Sequence, residues 1–327
     1  MGRFIIRRLL GMIPLIFLVS VTVFLLIKLT PGDFVSNYAT SLAASGETVD
    51  DAMLEGMRAR YGLDQPLIIQ YWDWISGVVQ GDFGYSFRWR QSVISLIGER
   101  IGLTLVLSVS TLLMTWAVAL PIGVYSAVRR YSFGDYFFTM IGFLGLAIPG
   151  FLMALILMFV GVSVFHTDAG GLFTPAYVNA PWNWERVVDL AKHLWVPMII
   201  LGTSGAASLI RIMRANVLDQ LHQPYVDTAR AKGLSEITLL IRYPIRVALN
   251  PFVSTLGFVL PQLVSGSVII SIVLNLPTAG PLLLQALLGQ DQYLAGAFLL
   301  LLCSLTVFGT LLSDILLALL DPRIRYQ

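Results

Sequence analysis

The chain has 327 residues, of which 57% are hydrophobic and only 12% charged, and its mean hydropathy is +0.79. Soluble domains carry roughly 25% charged residues, so a soluble fold is excluded and lipid is the solvent for much of the chain. A net charge of +2 is too small to point to nucleic acid, and the single cysteine, Cys303, excludes an intrachain disulfide framework and suggests no redox role.

In chain order, the first apolar run is Leu9 to Leu29, preceded by Arg3, Arg7 and Arg8. It holds 21 residues and is followed by Thr30-Pro31-Gly32-Asp33. A signal peptide has a shorter apolar core and a small-residue cleavage site, so this run is expected to be a retained membrane helix. The segment 33–100, with nine acidic residues against five arginines, reads as an external, partly helical cap. Uncharged runs follow at 101–128, 136–165, 193–210, 247–290 and 292–313, each long enough to cross a bilayer. The run 247–290 is about two spans long, and Asn275-Leu276-Pro277-Thr278-Ala279-Gly280-Pro281 breaks it after one. The prediction is an all-α membrane protein with six transmembrane helices.

Six crossings put both termini on one side. On that side fall Arg3, Arg7, Arg8, Arg129, Arg130, Arg211, Arg214, Arg230, Lys232, Arg242, Arg246, Arg323 and Arg325, thirteen of the 21 Lys and Arg. The positive-inside rule makes it cytoplasmic. A second external loop, 166–192, carries Trp182 and Trp184, expected as interfacial anchors. The predicted organisation is a first helix within 1–30, an external cap over 31–100, and a five-helix core over 101–327 with a long cytoplasmic loop at 217–246.

That loop contains Tyr225-Val226-Asp227-Thr228-Ala229-Arg230-Ala231-Lys232-Gly233-Leu234-Ser235. Small residues such as Ala229 and Ala231 let a short helix enter a groove on a partner, and Gly233 lets the backbone turn before a second helix near Ser235. The stretch resembles the cytoplasmic loop signature of binding-protein-dependent ABC importers, with Asp227-Thr228-Ala229 as the acidic-small-Ala triplet, Gly233 as the glycine, and Pro244 or Pro251 closing the apolar segment. The order Arg7-Arg8, Pro31-Gly32-Asp33, Tyr61-Gly62-Leu63-Asp64-Gln65-Pro66, Gly81-Asp82-Phe83-Gly84-Tyr85-Ser86, this loop, and terminal Asp321-Pro322-Arg323-Ile324-Arg325-Tyr326 is similar to dipeptide and oligopeptide permease B-type subunits over nearly the whole chain.

The resemblance implies a type I ABC importer permease fold in a bacterial or archaeal inner membrane. It also implies a second homologous permease subunit, two cytoplasmic ATPase subunits that carry ATP and Mg, and an external substrate-binding protein. Coupling to the ATPases then falls to Tyr225, Asp227, Thr228, Ala229, Ala231, Lys232, Gly233 and Leu234. Where the family carries an aromatic-Ser-x-Pro-Gly-x-Gly turn, this chain has Leu274-Asn275-Leu276-Pro277-Thr278-Ala279-Gly280, which leaves oligosaccharides or nickel open beside peptides.

Within the spans, Pro149-Gly150, Gly202-Thr203-Ser204-Gly205, Pro261-Gln262 and Ser265-Gly266-Ser267 interrupt the apolar pattern. Close helix packing is the usual role of such small residues. The pathway candidates are Gln262, Ser204, Ser265 and Ser267, with Gln262 foremost, because an amide in hydrocarbon is costly unless it meets a partner or water. No G-x-x-x-x-G-K-[ST] loop occurs, so this chain is expected to be neither an enzyme nor a cofactor carrier and to borrow its energy from separate subunits. An ion-coupled secondary transporter would need paired intramembrane charges, for which only Asp314 offers itself. An intramembrane hydrolase would need H-E-x-x-H or G-x-S-x-G, and both are absent.

Overall fold

The computed structural model describes residues 2–29, 32–44, 50–60, 62–164 and 170–320. Expectations that rest on Pro31, Glu47, Tyr61, His166, the terminal Asp321 to Tyr326 and Gln327 lie outside the described residues, as do the side chains of Arg3 and Ser265. The helices are α1 (Gly2–Leu29), α2 (Phe34–Ala44), α3 (Asp51–Arg60), α4 (Leu67–Val79), α5 (Val93–Val128), α6 (Phe133–Ala147), α7 (Gly150–Ser163), α8 (Trp184–Leu221), α9 (Pro224–Ala231), α10 (Glu236–Arg242), α11 (Pro244–Ala248), α12 (Asn250–Gly266), α13 (Val268–Val273), α14 (Ala279–Leu288) and α15 (Gln292–Leu320). The described residues contain no strand beyond an isolated bridge between Tyr85 and Ser92.

Helices α1, α5, α8 and α15 are each long and apolar enough to cross a membrane, and α6 with α7 make a fifth candidate as a pair bent by 101°. The bend corrects the reading of 136–165 as one uninterrupted run. Pro149 disfavours helical geometry in the residue before it, and Ile148 is accordingly extended at φ −85, ψ 120. A second correction concerns the loop read at 166–192. The Asn183 side chain accepts the Arg186 amide at 2.9 Å, caps α8 at its start, and makes 184–192 helical. With 38 residues, α8 is about 57 Å long, well beyond the hydrocarbon core of a bilayer.

Internal contacts divide the chain into two units. One comprises Ile6–Leu103 with Thr278–Val307. In it α1, α4 and α15 pack together through Val23, Trp74 and Leu300, and the Tyr71 hydroxyl lies 2.8 Å from Ser20 Oγ. Several of the family motifs are its turn chemistry. Asp33 caps α2, accepting the Ser36 amide at 2.7 Å, and its carboxylate pairs with Arg58 of α3 at 3.5 Å. Gly62, at φ +63, ends α3 with hydrogen bonds from Gly62 N to Ala59 O and from Leu63 N to Arg58 O. Gly84, at φ +82, lies where an added Cβ would fall 2.5 Å from the Tyr293 ring. Ser86 donates to the buried Asp291 carboxylate at 2.5 Å, and the Arg88 and Leu294 amides donate to the same group at 3.2 Å each.

The other unit comprises Met1–Ile5, Thr104–Pro277 and Phe308–Gln327. Its core joins α5, α8, α11 and α12 through Ala119, Leu209, Met213, Val217, Ala248 and Phe252. Gly123 admits this contact, since a Cβ there would lie 2.5 Å from Met213 Cβ. Arg214 of α8 holds the start of α6 with two hydrogen bonds to Asp135, at 3.0 and 2.9 Å. At the other end of α8, Arg186 stacks on Trp182 and Phe173 at 4.3 and 4.8 Å, while Thr174 donates to Asp189 through its amide and hydroxyl.

Candidate functional site

Two sites occupy the unit built on α8. The first begins where α8 ends. Pro224, at the first turn of α9, starts the helix with a residue that has no amide to leave unpaired. Val226 and Ala229 turn inward and form a buried cluster with Leu239 of α10, flanked by Leu234 and Tyr243. Helix α9 closes in a Schellman turn. Gly233, at φ +76, donates to Arg230 O at 2.9 Å, and the Leu234 amide reaches Ala229 O at 3.3 Å. A Cβ at Gly233 would meet nothing within 4 Å, so the positive φ alone asks for glycine here.

Across the turn, Arg230 binds Glu236 at 2.9 Å and lies 3.6 Å from Asp227. The Arg230 hydrogen bond holds the Glu236 carboxyl below its usual range. The exposed face of the pair carries Tyr225, Asp227, Thr228, Ala231 and Lys232. Tyr225 donates to Gln220 at 2.6 Å. Ala229, expected to enter a partner's groove, is instead consumed by the chain's own cluster, because it shares the inward face of α9 with Val226. Sequence reasoning missed Ile237 and Ile241, which stand 72% and 62% exposed one turn apart on α10. Their i, i+4 spacing was the available signal.

The second site is a cavity of about 410 Å³ among α5, α6, α7, α8, α12 and α13. It brings together three of the four residues expected in the pathway, Gln262, Ser204 and Ser267, and the side chain of the fourth, Ser265, is outside the described residues. Gln262 and Ser204 are exposed, whereas Ser267 is 6% exposed. Thr111, Thr115, Thr203, Ser208 and Thr255 line the same space and were not singled out, since hydroxyls scattered over three helices show no motif. The breaker residues divide by role. Gly202 is buried, and a Cβ on it would lie 2.6 Å from Met114 and 2.9 Å from Thr115 Oγ1, so it serves close packing, while Ser204 and Gly205 border the cavity.

A family model for the inner membrane component of binding-protein-dependent transport systems matches residues 119–326, and the model for the N-terminal part of such components matches residues 1–108. The chain belongs to this family. It is 35% identical to the oligopeptide transport system permease protein AppB of Bacillus subtilis, with all of each chain covered, and equally identical to the glutathione transport system permease protein GsiC of Escherichia coli K12 over the full length of both. The resemblance drawn from the loop and the order of motifs is thus to the family the chain belongs to. The protein is a multi-pass inner-membrane permease component of an ABC importer, a transport subunit that is not itself catalytic, and its family implies substrate-binding and ATPase partners.

Proposed function

We propose that this subunit carries peptides inward by alternating access, in a complex with a second, homologous permease, two ATPase subunits that hold ATP and Mg, and an external binding protein. The peptide cargo is supported by the names of its relatives, an oligopeptide and a glutathione permease. The observation that carries the mechanism is the continuity of α8. Ser204 borders the cavity, and the same uninterrupted helix ends at Leu221, directly before α9. Seventeen residues of helix span about 25 Å, so a push on α9 moves the cavity wall as a rigid lever. The face of α9 free to meet an ATPase carries Tyr225, Asp227, Thr228, Ala231 and Lys232, with Ile237 and Ile241 beside it. Val226, Ala229, Gly233 and Leu234 hold that face in shape. The sixth crossing in this reading is α12, whose 17 residues lie at the short end for a span. Both termini and α9 are then cytoplasmic.

Two alanines separate coupling from folding. In vesicles containing the whole complex, Ala231→Glu should leave thermal stability unchanged, abolish substrate-stimulated ATP hydrolysis and reduce uptake at least about tenfold, the effect of a misplaced charge at a close contact. Ala229→Glu should instead lower stability, because it drives a carboxylate into the Val226 and Leu239 cluster. Normal uptake by Ala231→Glu would remove α9 from the coupling role.

A further inference from the structure

We infer that the cavity is a subsite blind to charge, in which hydroxyls and one amide grip an uncharged hydrogen-bonding stretch of the solute, peptide backbone, while side-chain charge goes unread by this chain. The inference rests on the peptide-importer reading above. None of the residues lining the cavity is Asp, Glu, Lys, Arg or His, and residues 258–266 of α12 add no charged residue by sequence. Its polar lining is drawn from Thr111 and Thr115 of α5, Thr203, Ser204 and Ser208 of α8, and Thr255 and Gln262 of α12. Hydroxyls and a carboxamide both donate and accept, which matches a backbone that alternates amide and carbonyl. A fixed charge within a few ångströms of a solute would favour one sign of solute and reject the other.

Thr111 supplies the second observation. It is 3% exposed, and its hydroxyl has no hydrogen-bond partner among the described residues. A threonine inside a helix ordinarily satisfies itself on a carbonyl one turn back, as Thr203 does on Ile199 and Thr255 on Phe252. Thr111 does not, and a buried hydroxyl left unpaired destabilises the fold unless something else binds it. Gly202 keeps α8 close to this part of α5, since a Cβ there would lie 2.6 Å from Met114 Cε and 2.9 Å from Thr115 Oγ1.

The test uses the complete importer in vesicles with its binding protein, supplied with trialanine, Ala-Glu-Ala or Ala-Lys-Ala. Each variant's uptake is divided by that of the wild type for the same peptide, which cancels any preference of the binding protein. Ser204→Asp should depress the ratio for Ala-Glu-Ala at least about tenfold below that for Ala-Lys-Ala, with trialanine between, and Ser204→Lys should reverse the order. Thr111→Val should raise the KM for all three peptides equally, by about 3–10-fold, while raising the thermal stability of the empty complex. Equal ratios in both Ser204 variants, or a Thr111→Val protein with unchanged KM, would overturn the inference and leave the importer reading standing. A wild type that takes up none of the three peptides would overturn the peptide reading itself and the inference with it.

Discussion

Asp291 shows how a single residue binds distant stretches of sequence. Its carboxylate is fully buried and takes hydrogen bonds from the Ser86 hydroxyl and from the Arg88 and Leu294 amides, so that it closes the Gly81 to Ser86 turn and caps α15 together. Burial pushes its pKa up, and the hydrogen bonds from Ser86 and the backbone amides only partly offset that. A folded-state pKa above the unfolded one means that the folded form holds the proton more tightly. The stability from this group is therefore fully present below the ordinary carboxylate pKa near ~4 and is lost as pH rises through the raised value. Asp291→Asn, which cannot ionise, should remove that component of the pH dependence and cost less than Asp291→Ala. The alanine variant leaves several buried donors unpaired and should lose about 2–3 kcal/mol. Thermal unfolding of the purified complex between pH 4.5 and 7.5 measures both, and a wild-type profile superimposable on that of Asp291→Asn would refute the argument.

At the scale of elements, the contact between α12 and the C-terminal part of α15 is set by glycines. A Cβ at Gly257 would lie 3.0 Å from the Thr310 amide nitrogen and 3.1 Å from its Cα, backbone atoms that cannot turn aside, and a Cβ at Gly309 would lie 3.1 Å from the Gly257 Cα. Ser313 adds a buried hydrogen bond to Val253 O at 2.8 Å. At Gly150 the obstacle is Ile270 Cδ1 at 2.7 Å, the far end of a flexible side chain. Gly257→Ala should therefore destabilise the complex by about 1–3 kcal/mol, as overpacking does, and Gly150→Ala by less. The reverse order in unfolding experiments would show that α12 and α15 slide apart easily. None of this was visible in the sequence, where Gly257 is one glycine in a long apolar run. Hydropathy reports that a segment prefers lipid, and it found the stretches that became α1, α5, α8 and α15. It carries no information on direction, so the 101° bend at Pro149 and the extension of α8 back to Trp184 depended on local chemistry, a proline and an asparagine cap. The loop motif was legible for a different reason. Gly233 and the inward pair Val226 and Ala229 are short-range features that specify their own turn.

For the whole molecule, the arrangement of charge makes a prediction that hydropathy cannot. Basic residues gather in alternate connections, among them Arg129 and Arg130 between α5 and α6, and Arg230, Lys232, Arg242 and Arg246 along α9 to α11. The segment 33–100 is acidic on balance. Lys and Arg near span ends resist translocation while acidic residues contribute little, so positions 129 and 232 should face the cytoplasm and positions 47 and 182 the outside. Trp182 is 60% exposed and held by Arg186, a placement suited to the membrane interface, where an aromatic ring and a cation both find favourable surroundings. The cysteine content allows a direct measurement, because Cys303 is the single thiol. On a Cys303→Ser background, cysteines placed one at a time at 47, 129, 182 and 232 should react with a membrane-impermeant reagent in intact cells at 47 and 182 alone. The other two should react only after the membrane is opened. Reaction at 232 from outside would put α9 beyond reach of any cytoplasmic ATPase, and the lever formed by α8 would then have nothing to push it.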